Sequence, residues 1–417
     1  MSKSTSAAII VAGHVCLDVI PTLPATCHDL ATWLVPGGLV NVGPMTISTG
    51  GAVSNTGLAL HRLGVPVRLM GKVGDDTFGR ATLDVFRSYD PALADGMLIA
   101  AGEYSSYTII FSSPHVDRTF LHYAGPNDTF CAADVPDAAL ENAVCSGAHI
   151  FHFGYPTLMR NFYRDAGQEF ETLLRRVKAH NLITSLDVSR PDPHAEAGKV
   201  DWPAWLVRVL PQVDVFLPSV EEALLMVDPA RYAILEENGE FLPQMDGDLL
   251  SDLAGRLVGW GAAVVGLKLG SQGIYLRTTP EAARLRVLGE CLGLGGRACS
   301  EFTAGWTNRE LLAPAFRANL VGTTGAGDCA IAGFLTGLLH KLSPEATLTG
   351  AVAVGACNVE AADAVSGVPS WEAVQQRIKA GWMQLPVTLK LAGWGWAVGQ
   401  RLWLGPHDHG GQWAARS

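Results

Sequence analysis

The feature that most constrains the fold is a regular alternation of short β-rich runs with longer helical stretches. Candidate strands lie at residues 9–11, 67–70, 149–153, 183–187, 213–217, 263–267 and 274–277. Candidate helices lie between and after them, at residues 52–63, 162–180, 220–227, 249–259, 328–341, 344–362 and 371–382. Adjacent parallel strands need a long crossover connection, which a helix of this length supplies. The sequence therefore predicts an α/β fold with a mostly parallel central sheet and helices on both faces.

The composition agrees with a large globular core and excludes several classes of partner. Of the 417 residues, 48% are hydrophobic and 17% are charged, which argues against long disordered tracts. A formal net charge of −10 and the lack of a basic block argue against nucleic acid as a partner. The eight cysteines are scattered without a C-x-x-C pair, as in a reduced cytosolic protein. No stretch of about 18 uncharged apolar residues occurs, so the sequence predicts a cytoplasmic protein without a membrane span.

Two segments, residues 34–48 and 105–123, interrupt the alternation of strands and helices. The first contains two prolines and three glycines before a short alternating run, and the second has two β-rich runs joined by a loop. The second pattern is typical of a hairpin. Together the segments predict a small β-sheet lid over the main sheet. The alternative is that they form edge strands of that sheet.

The rest of the chain divides into a main domain and an appended segment. The strand and helix pattern covers residues 1–382, and residues 383–417 form a C-terminal extension of unknown role that is rich in tryptophan. Residues 228–248, which are acidic, and 279–316, which are rich in glycine, have the character of insertions.

A turn of small residues leads directly into the apolar helix predicted from Asp328. Residues 322–328 have the sequence G-T-T-G-A-G-D, and Asp328 is the only charged residue in it. The N–H groups at a helix start are free to bind an anion, and the helix dipole favours negative charge there. An aspartate beside such an anion site can accept a proton from an alcohol. The pattern therefore favours phosphoryl transfer to a hydroxyl group.

This turn has other interpretations on the sequence alone. From Gly325 to Ala330 it also satisfies the dinucleotide pattern G-x-G-x-x-[G/A]. A dinucleotide site needs a second strand about 20 residues later that ends in an acid, whereas residues 344–362 begin another helix. A Walker A loop is excluded, because neither Gly71 nor Gly198, each followed by lysine, has the required neighbours. A plain turn without function remains the alternative on local evidence.

A second candidate site precedes the first long helix. Gly50 and Gly51 let the backbone approach a ligand closely, and the amide of Asn55 can both donate to and accept from sugar hydroxyls. Asp18 follows the first strand and can bind a pair of hydroxyls. The alternatives are a simple Gly-Gly turn and an aspartate that only caps a loop.

Two strand ends carry further candidate ligands. Ser219 and Glu222 follow the strand at 213–217, where a carboxylate can hold a hydrated Mg²⁺. The alternative for Glu222 is a solvated acid in the first turn of a helix. The turn from Lys268 to Gly273 follows the next strand, and it could face a nucleotide.

With these motifs in this order, the chain resembles the ribokinase-like (PfkB) family of carbohydrate and nucleoside kinases. The likeness runs from about Ile9 to Pro369. Its C-terminal signature is T-T-G-A-G-D at residues 323–328. Its N-terminal signature comprises Gly50, Gly51, Ala52, Asn55, Leu63, Gly64, Gly71, Val73, Gly74, Asp75, Asp76 and Gly79.

The resemblance implies a sugar kinase that uses ATP and Mg²⁺ and has a β-lid over an α/β sandwich. Asp328 would be the base, and the amides of residues 325–327 would form an anion hole for the transferred phosphoryl group. The implied catalytic residues are Asp328, Gly325, Ala326 and Gly327. The implied sugar ligands are Asp18, Gly50, Gly51, Asn55 and, from the lid, Arg118. The implied nucleotide ligands are Lys268, Gly270, Ser271, Gly273, Thr324 and Asn358, and the implied metal ligand is Glu222. Lids of this family often pair, which suggests a homodimer.

Two departures from the family pattern limit what the resemblance implies. Many relatives have an aspartate where this chain has Gly322, and that carboxylate often helps to bind a monovalent cation, so potassium activation is left open. The N-x-x-E element has become Ser219 to Glu222, with a hydroxyl in place of the amide. The sequence does not identify the sugar. It also leaves a nucleoside kinase and a non-catalytic sugar- or nucleotide-binding relative as alternatives.

Overall fold

Three β-sheets and their flanking helices make up the part of the chain that the structure describes. The computed structural model describes residues 8–24, 34–113 and 116–409, and their side chains except those of residues 112–118. The strands are β1 (Ile9–Gly13), β2 (Cys16–Pro21), β3 (Met45–Gly50), β4 (Val67–Met70), β5 (Lys72–Gly74), β6 (Leu98–Ala100), β7 (Tyr107–Ser113), β8 (Val116–Tyr123), β9 (Ile150–Gly154), β10 (Ile183–Asp187), β11 (Val215–Phe216), β12 (Val264–Lys268), β13 (Ile274–Thr278), β14 (Glu310–Ala313), β15 (Gly395–Ala397) and β16 (Leu402–Leu404).

The α-helices connect these strands and cover the largest sheet. They are α1 (Ala52–Arg62), α2 (Thr77–Tyr89), α3 (Asp137–Cys145), α4 (Arg160–Tyr163), α5 (Gln168–Ala179), α6 (Trp202–Val209), α7 (Val220–Val227), α8 (Pro229–Glu237), α9 (Gly247–Gly259), α10 (Ala282–Cys291), α11 (Gly296–Trp306), α12 (Ala326–Leu339), α13 (Pro344–Asn358) and α14 (Trp371–Lys379). Within the described ranges, no helix is both long and apolar enough to cross a membrane.

The largest sheet has ten strands and confirms the predicted mostly parallel architecture. Its order is β15-β16-β14-β13-β12-β11-β10-β9-β1-β4. The six strands from β12 to β4 are parallel, and the other four are antiparallel. Every residue of β1, β9 and β10 is buried, as expected for strands covered by helices on both faces. One apolar core packs α1, α12 and α13 on one face, and a second packs α5, α6, α7 and α9 on the other.

The lid is a separate four-stranded sheet in the order β3-β2-β7-β8. The interpretation of its segments as edge strands of the main sheet is therefore wrong. Strands β7 and β8 form the predicted antiparallel hairpin, and β2 contributes a strand that the two-segment prediction did not include. Because β2 follows β1 after only two residues, the lid begins at the carboxyl edge of the main sheet.

One predicted helix is wrong. Residues 162–180 form α4 and α5, separated by a kink at Asp165 and Ala166, which both have a φ of 49°. The kink turns Phe162 and Phe170 toward the same aromatic cluster, where their ring centroids are 5.4 Å apart. Trp205 packs against that cluster and donates from its indole nitrogen to the carbonyl of Phe162 at 2.9 Å. The tertiary contact breaks a helix that apolar spacing alone would continue.

The segments interpreted as insertions contain regular structure. Residues 228–248 include α8, and residues 279–316 include α10, α11 and β14. The C-terminal extension packs against the second of these segments, because β16 pairs with β14 in the main sheet. Arg309 fixes this contact with an ion pair to Asp408, at 2.9 Å between Nε and Oδ2.

Candidate active site

A polar cavity lies where the parallel strands of the main sheet end. It has a volume of about 350 Å³. In an open α/β sheet, ligands bind outside the carboxyl ends of the strands, and this cavity is at that position. Its lining residues come from the ends of β9, β10 and β12 and from the starts of α7 and α12. They are Tyr155, Asp187, Val188, Ser219, Val220, Glu221, Glu222, Leu242, Lys268, Gly270, Gly325, Gly327 and Asp328.

The glycine loop at 322–327 opens α12 on one wall of the cavity. Gly325 is the N-cap, and its φ of 71° is a left-handed conformation that residues with a Cβ rarely adopt. A Cβ at Gly325 would also approach the Cα of Ala364 to 2.9 Å. The first backbone amides of an α-helix have no partner within the helix, so this loop presents N–H donors to the cavity. Of the three predicted anion-hole residues, Gly325 and Gly327 line the cavity, whereas the N–H of Ala326 donates to the carbonyl of Thr323 at 3.3 Å.

Asp328 lies in the first turn of α12 and is only 5% exposed. Two helical neighbours on α1 donate to it: Asn55 to Oδ2 at 3.0 Å and Thr56 to Oδ1 at 3.4 Å. Tyr155, which follows β9, donates from its hydroxyl to Oδ1 at 2.8 Å. Among the described residues, Asn55 Oδ1 is buried without a hydrogen-bond partner. The amide predicted to bind the sugar therefore contacts the predicted base, and its oxygen remains available to a ligand.

Lys268 and Asp187 form a buried ion pair on the cavity wall. Lys268 Nζ lies 2.8 Å from Asp187 Oδ1, and the two side chains are 15% and 1% exposed. Burial works against the ammonium charge, but the carboxylates of Asp187, Glu222 and Asp328 outweigh it and raise the pKa of Lys268. Lys268 also lies beside the anion loop, because a Cβ at Gly327 would be 3.6 Å from its Nζ. The cavity thus holds one fixed cation next to the loop amides.

Glu222 faces the cavity while it caps α7. Its Oε2 accepts from the backbone N–H of Ser219 at 2.7 Å, and its own N–H donates to Ser219 Oγ at 3.1 Å. This reciprocal arrangement is a capping box. Glu222 is therefore an acid in the first turn of a helix and also a residue that lines the cavity. One carboxylate oxygen is committed to the cap, and the cavity is open to the rest of the group.

The predicted sugar ligands lie at the junction of the lid and the body. Asp18 is on β2, next to Gly50 at the end of β3, and a Cβ at Gly50 would lie 2.6 Å from Asp18 Oδ1. Gly51 is the N-cap of α1, which carries Asn55. Burial raises the pKa of Asp18 to about 6, although hydrogen bonds from Cys16 and Thr108 oppose the shift. Asp18 does not belong to the lining of the 350 Å³ cavity and lies on the lid side of it.

A pair of histidines joins the lid to the body beside this junction. His14 follows β1, His122 is on β8, and their Nε2 atoms are 3.3 Å apart. The lid threonine Thr108 is 3.0 Å from His122 Nδ1. Burial lowers the pKa of both imidazoles, and the proximity of His122 lowers the pKa of His14 further. The contact is therefore one between neutral rings that hold the lid near the body.

The predicted nucleotide ligands fall into two groups. Gly270, Ser271 and Gly273 form a tight turn after β12, and Gly270 lines the cavity. Asn358 instead lies fully buried behind the glycine loop, where its amide donates to the carbonyl of Thr324 at 2.8 Å. Its contact is thus with the loop and not with the cavity. Arg118 is on β8, and its side chain lies outside the described residues.

Sequence reasoning missed several residues of this site. Tyr155 directly follows β9 and Asp187 ends β10, so their positions at the carboxyl ends of buried strands were a signal by which both could have been found. His14 and Thr108 had no comparable signal, because their importance depends on contacts across the lid. Asp187 and Lys268 each lie at a predicted strand end, but the sequence does not show that they pair, because they are 81 residues apart.

Comparison with known proteins finds sugar kinases by family model, by sequence and by structure. The model of pfkB family carbohydrate kinases matches residues 7–371. The chain is 22% identical over 385 residues to "Probable fructokinase-6, chloroplastic" of Arabidopsis thaliana, which covers 90% of this chain and 84% of that protein. The structure of an Arabidopsis thaliana ribokinase complexed with ribose and ATP has a TM-score of 0.63 and 16% identity, over 90% of this chain and 99% of that one. A ribokinase-II-type protein from E. coli in complex with ATP and Mg²⁺ has a TM-score of 0.61 and 16% identity, with the same coverage.

Proposed function

The chain belongs to the pfkB family of carbohydrate kinases, ATP-dependent enzymes that phosphorylate a sugar hydroxyl, and from this premise we propose which residues carry out the transfer. The observation that carries the proposal is the position of Asp328. A buried carboxylate sits in the first turn of α12, beside the amides of the glycine loop and on the wall of a polar cavity. A proton acceptor and an anion site are thus adjacent, as transfer to an alcohol requires.

In the proposed reaction, Asp328 accepts the proton of a hydroxymethyl group of the sugar. The freed oxygen forms a bond to the γ-phosphorus of ATP as the bond from that phosphorus to the bridging oxygen breaks, and ADP leaves. The N–H groups of Gly325, Ala326 and Gly327 donate to the equatorial oxygens, where charge develops in the transition state. Lys268 adds a positive charge beside the same loop. Asp187 holds that ammonium in place through their 2.8 Å contact.

The cavity wall also fits a magnesium ion. Mg²⁺ keeps several water ligands in nucleotide-binding enzymes and takes only one or two protein carboxylates. Glu222 supplies such a carboxylate, held by its capping box on the cavity wall. The cavity lining has more carboxylates than the one ammonium of Lys268 can balance, and this charge favours binding of a further cation. When bound, Mg²⁺ would neutralise charge on the phosphates, and Ser219 would hold one of its water ligands.

The adenine nucleotide is proposed to lie along the turn after β12. Gly270 and Lys268 line the cavity, and Ser271 and Gly273 continue the same turn. Thr324 precedes the loop amides, and Asn358 supports the loop by its hydrogen bond to the Thr324 carbonyl. The role of Asn358 is therefore to hold the loop in shape.

The acceptor is proposed to be an unphosphorylated sugar of the fructose or ribose type. This choice is supported by the names of the relatives, which are fructokinases and ribokinases. It is also supported by the hydrogen-bonding groups at the lid junction: Asp18, the free Oδ1 of Asn55, and the backbone at Gly50 and Gly51. Arg118 is the proposed lid contribution.

An acceptor screen tests this function. Purified protein with ATP and Mg²⁺ would be assayed for ADP release against ketohexoses, aldohexoses, pentoses and nucleosides, with the Asp328→Asn variant as matched control. We expect ADP release that depends on a free sugar and is lost in the variant. ADP release only with nucleosides would show that the protein is a nucleoside kinase and would contradict the proposed sugar kinase. No acceptor-dependent release with any compound would favour a binding protein.

We also propose that the lid pairs with a second copy of the chain. Its outer face carries large apolar side chains that are about half exposed: Met45, Ile47, Leu121 and Tyr123. An apolar patch of this kind is typical of an interaction surface. Light scattering on the size-exclusion peak should give a dimer, and charged substitutions at Ile47 and Leu121 should give a monomer. A wild-type monomer at micromolar concentration would contradict the proposal. The cytoplasmic location stays a prediction.

A further inference from the structure

Tyr155 has a backbone conformation that tyrosine rarely adopts. It follows β9 with φ 63° and ψ 42°, in the left-handed region that is unfavourable for a bulky side chain. The turn is fixed from both sides: the N–H of Tyr155 donates to the carbonyl of Asp187 at 3.0 Å, and its carbonyl accepts from Leu158 at 3.0 Å. This turn places the side chain on the cavity wall. Strained residues of this kind concentrate at functional sites.

The hydroxyl of Tyr155 donates the shortest hydrogen bond recorded to Asp328. It lies 2.8 Å from Oδ1, compared with 3.0 Å for Asn55 and 3.4 Å for Thr56. Burial, together with the nearby carboxylates of Asp328 and Asp187, raises the pKa of the Tyr155 phenol well above its ordinary value. The phenol therefore keeps its proton across the physiological range, and it serves as a hydrogen-bond donor to the carboxylate.

The donors to Asp328 determine how many further hydrogen bonds its carboxylate can accept. A carboxylate has about four lone-pair sites, two on each oxygen. Within the described part of the chain, Tyr155 and Thr56 occupy both sites on Oδ1, and Asn55 occupies one site on Oδ2. The site left for an acceptor hydroxyl is the second one on Oδ2. Oδ1 is thus the oxygen that is held, and Oδ2 is the oxygen that reacts.

We propose that Tyr155 is a positioning residue for the base: it anchors Oδ1 of Asp328 so that Oδ2 accepts the proton of the sugar hydroxyl. This inference rests on the proposed function of Asp328. The anchor restricts rotation of the carboxylate, which keeps the reacting atoms aligned.

The test compares two tyrosine substitutions. Tyr155→Phe removes the hydroxyl and keeps the ring. Its matched control is Tyr275→Phe, because Tyr275 also donates to a carboxylate at 2.8 Å, to Glu310 Oε1, away from the cavity. The expected result for Tyr155→Phe is a kcat lower by about ten- to a hundred-fold, the size expected for a lost hydrogen bond to a charged group. The KM values for ATP and sugar stay within about two-fold of wild type, because no substrate contact is removed.

The split between kcat and KM separates positioning from a structural role. The other charged or titratable groups near this hydroxyl are Asp187, Glu222, Lys268 and His14, and the substitution leaves them unchanged. Tyr275→Phe should lower the melting temperature and leave kcat as in wild type. A fall in kcat that is confined to Tyr155→Phe, with both KM values kept, therefore indicates positioning.

The outcomes distinguish this inference from the proposed function. A wild-type enzyme without acceptor-dependent turnover contradicts the proposed function itself. An active wild type, with a folded Tyr155→Phe variant of the same kcat, contradicts only the role of Tyr155. Circular dichroism and thermal melting establish folding. If Tyr155→Phe does not fold, Thr56→Val removes the other donor to Oδ1, and an unchanged kcat in that folded variant would contradict the anchoring of Oδ1.

Discussion

The phosphate side and the sugar side of the active site are built from different kinds of element. The phosphate side uses the ends of the main sheet and the start of α12, and its charged groups pair with each other, as Lys268 and Asp187 do at 2.8 Å. The sugar side uses the lid, a four-stranded sheet attached through β2. Its buried titratable groups are shifted toward their neutral forms: Asp18 to a pKa of about 6, and His14 and His122 to lowered pKa values.

This difference indicates a division of labour. Burial and the neighbouring carboxylates of Glu222 and Asp328 raise the pKa of Asp187, but the ammonium of Lys268 opposes this shift. The ion pair fixes both groups in position, which suits transition-state stabilisation. Groups that are buried without an opposite charge are stabilised by a ligand that can hydrogen-bond to them, which suits recognition. Substitutions on the phosphate side should therefore change kcat, and substitutions on the sugar side should change sugar KM and the dependence of stability on pH.

The largest effect is expected for Asp328→Asn. The substitution keeps the shape of the side chain and removes the base, so kcat should fall by about 10²- to 10⁴-fold. ATP binding measured by calorimetry and the melting temperature should stay close to wild type. Near-normal turnover of the Asp328→Asn variant would contradict the proposal that Asp328 is the base.

Lys268→Met is expected to reduce both stability and catalysis. It leaves the buried carboxylate of Asp187 unpaired, which typically costs about 3–5 kcal/mol of unfolding free energy. The double variant Asp187→Asn with Lys268→Met removes the unpaired charge, so it should recover most of the stability without recovering kcat. Urea unfolding and steady-state kinetics measure the two quantities. A double variant that regains full kcat would show that Lys268 has only a structural role.

Asp18→Asn is expected to affect the sugar side alone. The pKa of Asp18 is raised from 3.8 to about 6 in the folded protein. Folding thus favours the protonated form, so the stability contributed by Asp18 is complete below about pH 4 and lost as pH rises through 6. A shift of this size corresponds to about 3 kcal/mol, so the neutral Asn variant should be the more stable protein at pH 8.

The same variant gives a kinetic test of the comparison. Sugar KM should rise at least about ten-fold, as for a lost hydrogen bond to a charged group, while ATP KM stays constant. Thermal melts between pH 4 and 8 would follow the stability difference, which should vanish at the acid end. Equal melting temperatures for Asp18→Asn and wild type at pH 8 would contradict the burial argument.

The smallest effect is expected from replacing potassium with sodium or choline. Gly322 has no side-chain ligand for a cation, and a Cβ at this position would lie 2.9 Å from the carbonyl of Ala361. Since hard cations rely on anionic oxygen ligands for much of their affinity, we expect the rate to change by less than about two-fold. A strong increase with potassium would show that backbone carbonyls alone form the site.

The main sheet and the glycine loop could be predicted because their signals are local. Alternating apolar runs indicate buried strands, and the small residues before Asp328 indicate a helix start with free amides. The separate lid also followed from an interruption of the pattern. The structure has the predicted helix start at this loop, with Asp328 in the first turn of α12. The roles of Asp328 as base and of the loop as anion site remain proposals.

The remaining features depend on contacts that have no local signal. The kink at Asp165 depends on an aromatic cluster that includes Trp205. The anchor from Tyr155 depends on a left-handed turn that a tyrosine would not be expected to adopt. The amide of Asn358 could bind a nucleotide, but α13 places this residue behind the glycine loop, where it donates to the carbonyl of Thr324. In each case tertiary packing decides the outcome, and the sequence pattern alone allows other arrangements.

The late position of β16 in the chain has a consequence for how the protein is made. Strand β14 pairs with β13 on one side and with β16 on the other. During translation β14 emerges well before β16, so for that interval the nascent chain has an unpaired strand edge. Such edges are sites of aggregation. Slow release from the ribosome, or a premature stop codon before Leu402, would prolong the exposure of this edge, and binding of a chaperone to β14 would then compete with completion of the sheet.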